Sequence, residues 1–410
     1  MGLFEISALL VTLAALFSYI NHRWIRWPTT IGLMVIALVM SLVLVLLGEL
    51  GFGLEQQAEE ILARVEFDEA LLHGMLGFLL FAGALHVELN DLAREKWIIA
   101  SLASVGLLTS TVLVGGITWI VLPLLGLELP FVYCLLFGAL ISPTDPIAVL
   151  GILKTAGAPR SLETKITGES LFNDGVAVVV FLALLESVTG HEATLGSVVR
   201  LFTQEAIGGG ILGLGCGTLA YRMIRDVDSY EVEILITLAL AMGSYALAGV
   251  LHASGPIAAV MAGLLMGNQG RQFAMSTKTR EHVDTFWELV DELLNAVLFV
   301  LIGLEVLIIT LRVEYVLAGA IAIPLVLLCR LVSVSVPVAA LRLRRTFSPG
   351  AIRIMTWGGI RGGISVALAL SLPAGAPREM ILTITYCVVA FSIIVQGLTL
   401  EGLVRSSSAT

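Results

Sequence analysis

Charge is scarce in this chain: Asp, Glu, Lys and Arg make up 13% of its 410 residues, against about 25% in an ordinary soluble domain. That shortage excludes a fold whose whole surface meets water. Basic residues are fewer than acidic ones, and the net charge of −9 argues against a nucleic-acid partner, which would want a basic face. Cysteine is limited to Cys134, Cys216, Cys329 and Cys387, each inside an apolar run and in no metal or redox spacing. A disulfide framework is therefore not expected, and these thiols read as small hydrophobes. The N-terminus has no basic region before its first apolar stretch and no small-residue cleavage site, so no secretory signal is expected. No HExxH pair occurs either, which removes the commonest intramembrane metalloprotease pattern.

What is abundant is apolar surface. Hydrophobic residues reach 58% and the mean hydropathy is +0.98, so the solvent for most of the chain is lipid. Crossing a hydrocarbon core of ~30 Å takes about 20 residues of helix. Apolar segments of that kind fall near 3–20, 29–48, 70–88, 97–122, 130–155, 163–188, 198–222, 231–250, 254–267, 283–311, 314–341, 348–372 and 379–403, about thirteen in all. The ninth is short and the tenth long, so their shared boundary is the one most open to shift. The expected fold is an all-α polytopic membrane protein.

Basic residues set the orientation. Loops on one side hold Arg23, Arg26, Arg94, Lys96, Lys154, Arg160, Lys165, Arg222, Arg225, Arg271, Lys278, Arg280, Arg342, Arg344, Arg345, Arg353 and Arg405. The opposite side holds Arg64, Arg200, Arg312 and Arg378, with an acidic loop from Glu49 to Glu69. The expectation is an N-terminus outside, a C-terminus in the cytoplasm, and no cytoplasmic domain after Arg405. His22, His73, His86, His191, His252 and His282 lie mostly near segment ends and read as interfacial packing.

Two segments carry helix breakers: Ser142-Pro143-Thr144-Asp145-Pro146 in the fifth and Gly358-Gly359-Ile360-Arg361-Gly362-Gly363 in the twelfth. They sit seven segments apart, which fits two inverted six-span repeats with the fifth member of each interrupted. Paired interruptions of this sort point to a transporter's binding site near the middle of the bilayer.

A charge at that depth is costly and needs a reason. Asp145, Glu169, Asp174, Arg330 and Arg361 lie deep in their segments, with Glu288, Asp291, Glu292 and Glu305 nearer the ends of the tenth. A cap beside a proline kink would explain Asp145, but unwound backbone in lipid must line a polar cavity. On the sixth segment, Gly168-Glu169-Ser170-Leu171-Phe172-Asn173-Asp174 puts Ser170 and Asp174 on one stripe and Glu169 and Asn173 on another. Hydroxyl and carboxylate oxygens suit a small cation; the bland alternative is interhelical hydrogen bonding. Arg361 stays charged and needs an acidic partner, for which Glu169 is the natural candidate. Arg330 is expected to pair with a neighbouring acid or to snorkel.

These three motifs, in this order and spacing, resemble NhaP-type monovalent cation:proton antiporters, the prokaryotic relatives of the sodium/proton exchangers, and the resemblance covers essentially the whole chain. It implies a thirteen-span NhaA-like fold whose two broken helices cross at the midplane, and a prokaryotic inner-membrane homodimer. It also implies an ion-transport core from roughly 97–188 and 314–403, and a dimerisation part from roughly 1–96 and 189–313. Carried over, Asp174 becomes the carrier of Na⁺ and H⁺, with Asp145, Ser170 and the Thr144 carbonyl as further ligands. Asn173 orders the crossing, Glu169 pairs with Arg361, and no cofactor is required. Asn ahead of the Asp implies electroneutral exchange of one cation for one proton. The resemblance departs at Phe81-Ala82-Gly83-Ala84, where many relatives carry an acid. K⁺/H⁺ exchange is the nearest alternative, and a cation channel the alternative of another class.

Overall fold

In the computed structural model, residues 3–50, 62, 67–188, 195–342, 347 and 350–408 are described. Arg64 and most of the acidic loop around it, His191, Arg344 and Arg345 lie outside them. The described chain is helical, as lipid requires of any segment that cannot pair its backbone with water.

In chain order the helices are α1 (Leu3–Ile20), α2 (Thr29–Glu49), α3 (Leu76–Leu85), α4 (Leu89–Ser101) and α5 (Leu107–Val121). Next come α6 (Phe131–Ile141), α7 (Pro146–Ala156), α8 (Arg160–Val188), α9 (Leu195–Arg225) and α10 (Tyr230–Val250). The chain continues with α11 (Gly255–Leu265), α12 (Thr277–Leu304) and α13 (Val313–Leu341). It finishes with α14 (Ala351–Trp357), α15 (Gly363–Leu370), α16 (Ala376–Phe391) and α17 (Gly397–Ser408).

Among the described residues, nine helical stretches have the length and apolarity of a membrane span. The other four expected segments are the two interrupted ones, the short ninth and the charged tenth. The ninth and tenth indeed share a shifted boundary: α12 starts at Thr277, capped by the Ser276 hydroxyl on the Thr279 amide, so it takes in polar sequence that the hydropathy pattern assigns to a loop. A serine cap is strong enough to start a helix there. The fourth segment likewise begins earlier than its apolar run, at Leu89, and passes from α4 to α5 through a π turn at Leu102–Gly106.

Starts and stops follow local chemistry. Pro28 and Pro130 precede α2 and α6, and Pro256 and Pro377 occupy first-turn positions of α11 and α16, where the missing N–H costs nothing. Where α11 crosses α3, Gly263 lies so close that a Cβ there would sit 2.7 Å from the Phe81 carbonyl oxygen. Small residues permit that approach between membrane helices. It fixes Phe81 inward, with its ring 4.6 Å from that of Trp287. The place where an acid was absent from the third segment is therefore filled by a tilted aromatic pair.

Candidate functional site

The first break separates α6 from α7. Pro143 and Pro146 bring no N–H to the helix ladder, so the chain runs non-helically through Ser142, Pro143 and Thr144. Side chains take over the pairing. The Ser142 hydroxyl turns back to the Gly138 carbonyl at 2.6 Å, with the Ser110 hydroxyl 2.8 Å away. Thr144 Oγ1 lies 2.8 Å from Ser170 Oγ and accepts a hydrogen bond from Asn173 Nδ2 at 3.0 Å. Ser170 and Asn173 are neighbours on one face of α8, and both therefore grip the same threonine.

The second break, between α14 and α15, lies against the first. The Asp145 amide donates to the Ile360 carbonyl at 2.8 Å, a backbone bond between the two interruptions. Arg361 crosses the other way: its Nη1 donates to the carbonyls of Ser142 at 2.5 Å and Pro143 at 2.8 Å. Gly362 allows this proximity, since a Cβ at that position would meet the Asp145 Cβ at 2.8 Å. A π turn at Ser392–Gln396 completes the pairing. There the Ser392 hydroxyl accepts the Arg361 amide at 3.0 Å, and Gln396 Nε2 donates to the Trp357 carbonyl at 2.7 Å. π turns within helices are frequent at functional sites, and this one pairs with the second break at its start, Trp357, and in its interior, Arg361.

One expected pairing is corrected. Glu169 does not pair with Arg361; it forms a forked ion pair with Arg330 of α13, at 2.5 Å and 2.9 Å. The reason is helical rotation. Glu169 is turned about 100° from Ser170 on α8, so with Ser170 facing the breaks, Glu169 faces Arg330. The Arg361 guanidinium meets main-chain carbonyls of the first interruption, of which Ser142's has lost its helical donor because Pro146 stands four residues on. Dipoles of that kind stabilise a buried cation where a carboxylate is not at hand.

The breaks open onto a cavity of about 740 Å³. Thr144, Asp145 and Asp174 stand on its wall, whereas Ser170, Glu169 and Arg361 are buried behind it. Asp174 is only 3% exposed. Of the expected oxygen donors, the structure thus gathers Thr144, Asp145 and Asp174 at one surface and holds Ser170 one hydrogen bond back.

Away from Asp174 the cavity passes Asp284, Glu288, Asp291 and Glu292 of α12 and ends among His86, Lys154 and Arg271. The spacing of the four acids puts them on one side of the helix. Asp284 is ion-paired with Arg271. Partial desolvation by the cavity wall, then the nearby Arg271 charge, lowers the pKa of His86 from its ordinary 6.5, although the residue is exposed to the cavity. Sequence reading placed Glu288, Asp291 and Glu292 near segment ends or a packed interface; their stripe on one face, which Asp284 extends, was the signal that they line the cavity. Arg330 pairs with an acid, as expected, but which acid, and the parts played by Ser392 and Gln396, depend on which helices meet.

Comparison with known proteins agrees with this geometry. The family described as sodium/hydrogen exchanger, transmembrane, matches residues 10–406. A Na⁺/H⁺ antiporter NhaP of Pseudomonas aeruginosa is 51% identical over 98% of this chain and 96% of its own length. A Na⁺/H⁺ antiporter NhaH of Halobacillus dabanensis is 37% identical over 93% of each. The solved structure of the sodium proton antiporter MjNhaP1 from Methanocaldococcus jannaschii at pH 8 superposes with a TM-score of 0.77 at 19% identity, covering 100% of both chains, and shows the same fold. With the paired breaks, the aspartates between them and a match along nearly the whole chain, the protein belongs to the transmembrane sodium/hydrogen exchanger family.

Proposed function

We propose that this chain is a secondary antiporter that exchanges Na⁺ for H⁺ across a prokaryotic cytoplasmic membrane. The observation that carries the proposal is the charge balance around the two breaks. Asp145, Glu169 and Asp174 bring three carboxylates, and Arg330 and Arg361 bring two guanidinium groups. With these five groups ionised, one negative charge is left over, and at Asp174, only 3% exposed on the cavity wall, an uncompensated charge costs several kcal/mol. One proton or one monovalent cation cancels it, and the two cannot do so together. Competition for Asp174 and electroneutral exchange of one for one follow.

Asp174 is the carrier in this reading. Asp145 and the Thr144 carbonyl complete the cation's oxygen shell from the first break, and Ser170 joins when its bond to Thr144 opens. Asn173 and Arg361 hold the crossing, and the Glu169–Arg330 pair anchors α8. Hard oxygen donors suit an alkali cation, and homologues carrying the Na⁺/H⁺ antiporter name favour Na⁺ over K⁺. The thirteen-span arrangement has its N-terminus outside, its C-terminus in the cytoplasm and the cavity open to the cytoplasm. Roughly 97–188 and 314–403 move as the transport core against the remainder, which forms the homodimer.

Purified protein in liposomes tests this. An imposed Na⁺ gradient is expected to drive proton flux that is insensitive to membrane voltage, weaker with K⁺, and absent in Asp174→Ala. Undiminished flux in that variant would sink the assignment, and voltage-driven flux without a counter-ion would indicate a channel.

A further inference from the structure

A second cavity, of about 500 Å³, lies along α4 on the far side of α8 from the ion cavity. Phe172 and Val176 of α8 line it, and Met261 and Leu264 of α11 form its other wall. Phe172 and Val176 stand two positions either side of Asp174, so α8 is a partition: one face holds the ion-site aspartate and the other the groove. Along α4, Ala93, Lys96 and Ala100 share one face, and the stripe continues to Ala103 in the following π turn. From Lys96 to Ser104 the groove runs roughly 12 Å by helical rise, enough for the first part of an acyl chain from one leaflet of a ~30 Å hydrocarbon core.

Midway along, the groove changes character. Lys96 is exposed and, among the described residues, forms no ion pair, whereas Arg94 and Arg160 nearby are tied to Asp91 and Glu88. Its ammonium lies 5.8 Å from the ring of Trp97, which is 64% exposed. A tryptophan and a lysine side by side, where the chain passes from the charged first turns of α4 into its apolar run, mark the headgroup level of a bilayer. We infer that the groove is a site for an anionic phospholipid: one acyl chain lies along α4 against Phe172 and Met261, and the Lys96 ammonium holds the phosphate. Bilayer hydrocarbon is the medium on this face, and the unpaired cation selects the headgroup.

The test uses the full chain in phosphatidylcholine vesicles doped with phosphatidylglycerol carrying a photoreactive group on its acyl chain. Labelling is expected on the peptide spanning Ala93–Ser104 or on that around Phe172. Unlabelled phosphatidylglycerol should compete about fivefold better than phosphatidylcholine, the preference expected of one lysine at an anionic headgroup. Lys96→Gln should erase that preference while labelling persists. Ala100→Trp should remove label from these peptides alone, with melting temperature confirming the fold. Equal competition by the two lipids, or full labelling of Ala100→Trp, would overturn the inference. So would a benzoylphenylalanine at Ala93 that crosslinks to a second copy of the chain rather than to lipid. None of these readouts depends on which ion is transported, so the lipid site and the exchange activity fail separately.

Discussion

Arg330 lays both terminal nitrogens of its guanidinium on the two carboxylate oxygens of Glu169, at 2.5 Å and 2.9 Å, with both side chains nearly fully buried. A forked pair of this kind fixes geometry as well as charge. Its net worth against an apolar pair is small, but removing one partner leaves a buried charge uncompensated, at a cost of about 3–5 kcal/mol. Glu169→Gln and Arg330→Met are each expected to lower the melting temperature sharply in detergent, and the double variant should recover part of the loss. A cycle pairing Glu169→Gln with Arg361→Met should be closer to additive. Strong coupling to Arg361 and none to Arg330 would refute the pairing seen here.

Gly362 should not tolerate even one added methyl. A Cβ there would meet the Asp145 side chain, so Gly362→Ala must push the carboxylate from its place on the cavity wall. The expected result is a higher KM for the cation, by about tenfold if the displacement costs ~1.4 kcal/mol, in protein that still purifies and melts cooperatively. An unaltered KM would show that Asp145 is not placed by this contact.

The acidic face of α12 should act by long-range attraction. Replacing Glu288, Asp291 and Glu292 by their amides is expected to raise the KM for Na⁺ offered on the cavity side at low ionic strength. The difference should shrink as an inert organic salt is added, because screening over about 10 Å at 0.1 M weakens steering. A salt-independent effect would place these acids in direct coordination instead.

His86, just beyond α3, faces Arg271, Asp284, Glu288 and Lys154. The surrounding cavity wall and the Arg271 charge lower its pKa from 6.5, although the residue is still exposed to the cavity, so between that lowered value and 6.5 the unfolded chain holds the extra proton. Stability must then fall as pH drops through 6.5. His86→Gln should show a melting temperature less sensitive to acidification in this window and equal to the parent's trend above it. Parallel curves down to pH 5 would rule the effect out.

Much of this site could be read from the sequence because cost concentrates there. Lipid tolerates neither an idle carboxylate nor an unpaired backbone, so Asp174, Asp145 and the two interruptions announced themselves by being where they were. The Ser170–Asp174 stripe followed from helical geometry alone. The partner of Arg361 did not, since sequence supplies the need for a counter-charge but not the rotation of α8 that turns Glu169 to Arg330. Main-chain carbonyls, which have no letter in the sequence, took the role assigned to the acid. The polar start of α12 was hidden for a related reason: hydropathy registers the bilayer, while a serine cap extends a helix beyond it.

The π turn at Ser392–Gln396 has a consequence for how the protein is made. Ser392 accepts the Arg361 amide and Gln396 supplies the donor for the Trp357 carbonyl, so the second interruption is complete only after some thirty further residues have left the ribosome. Until then α14 and α15 enter the membrane with open backbone groups between them. The helix that carries Ser392 and Gln396 therefore serves as a closing clasp in biogenesis, and the ion site becomes a finished object only once that helix is in place, rather than in the order its residues are translated.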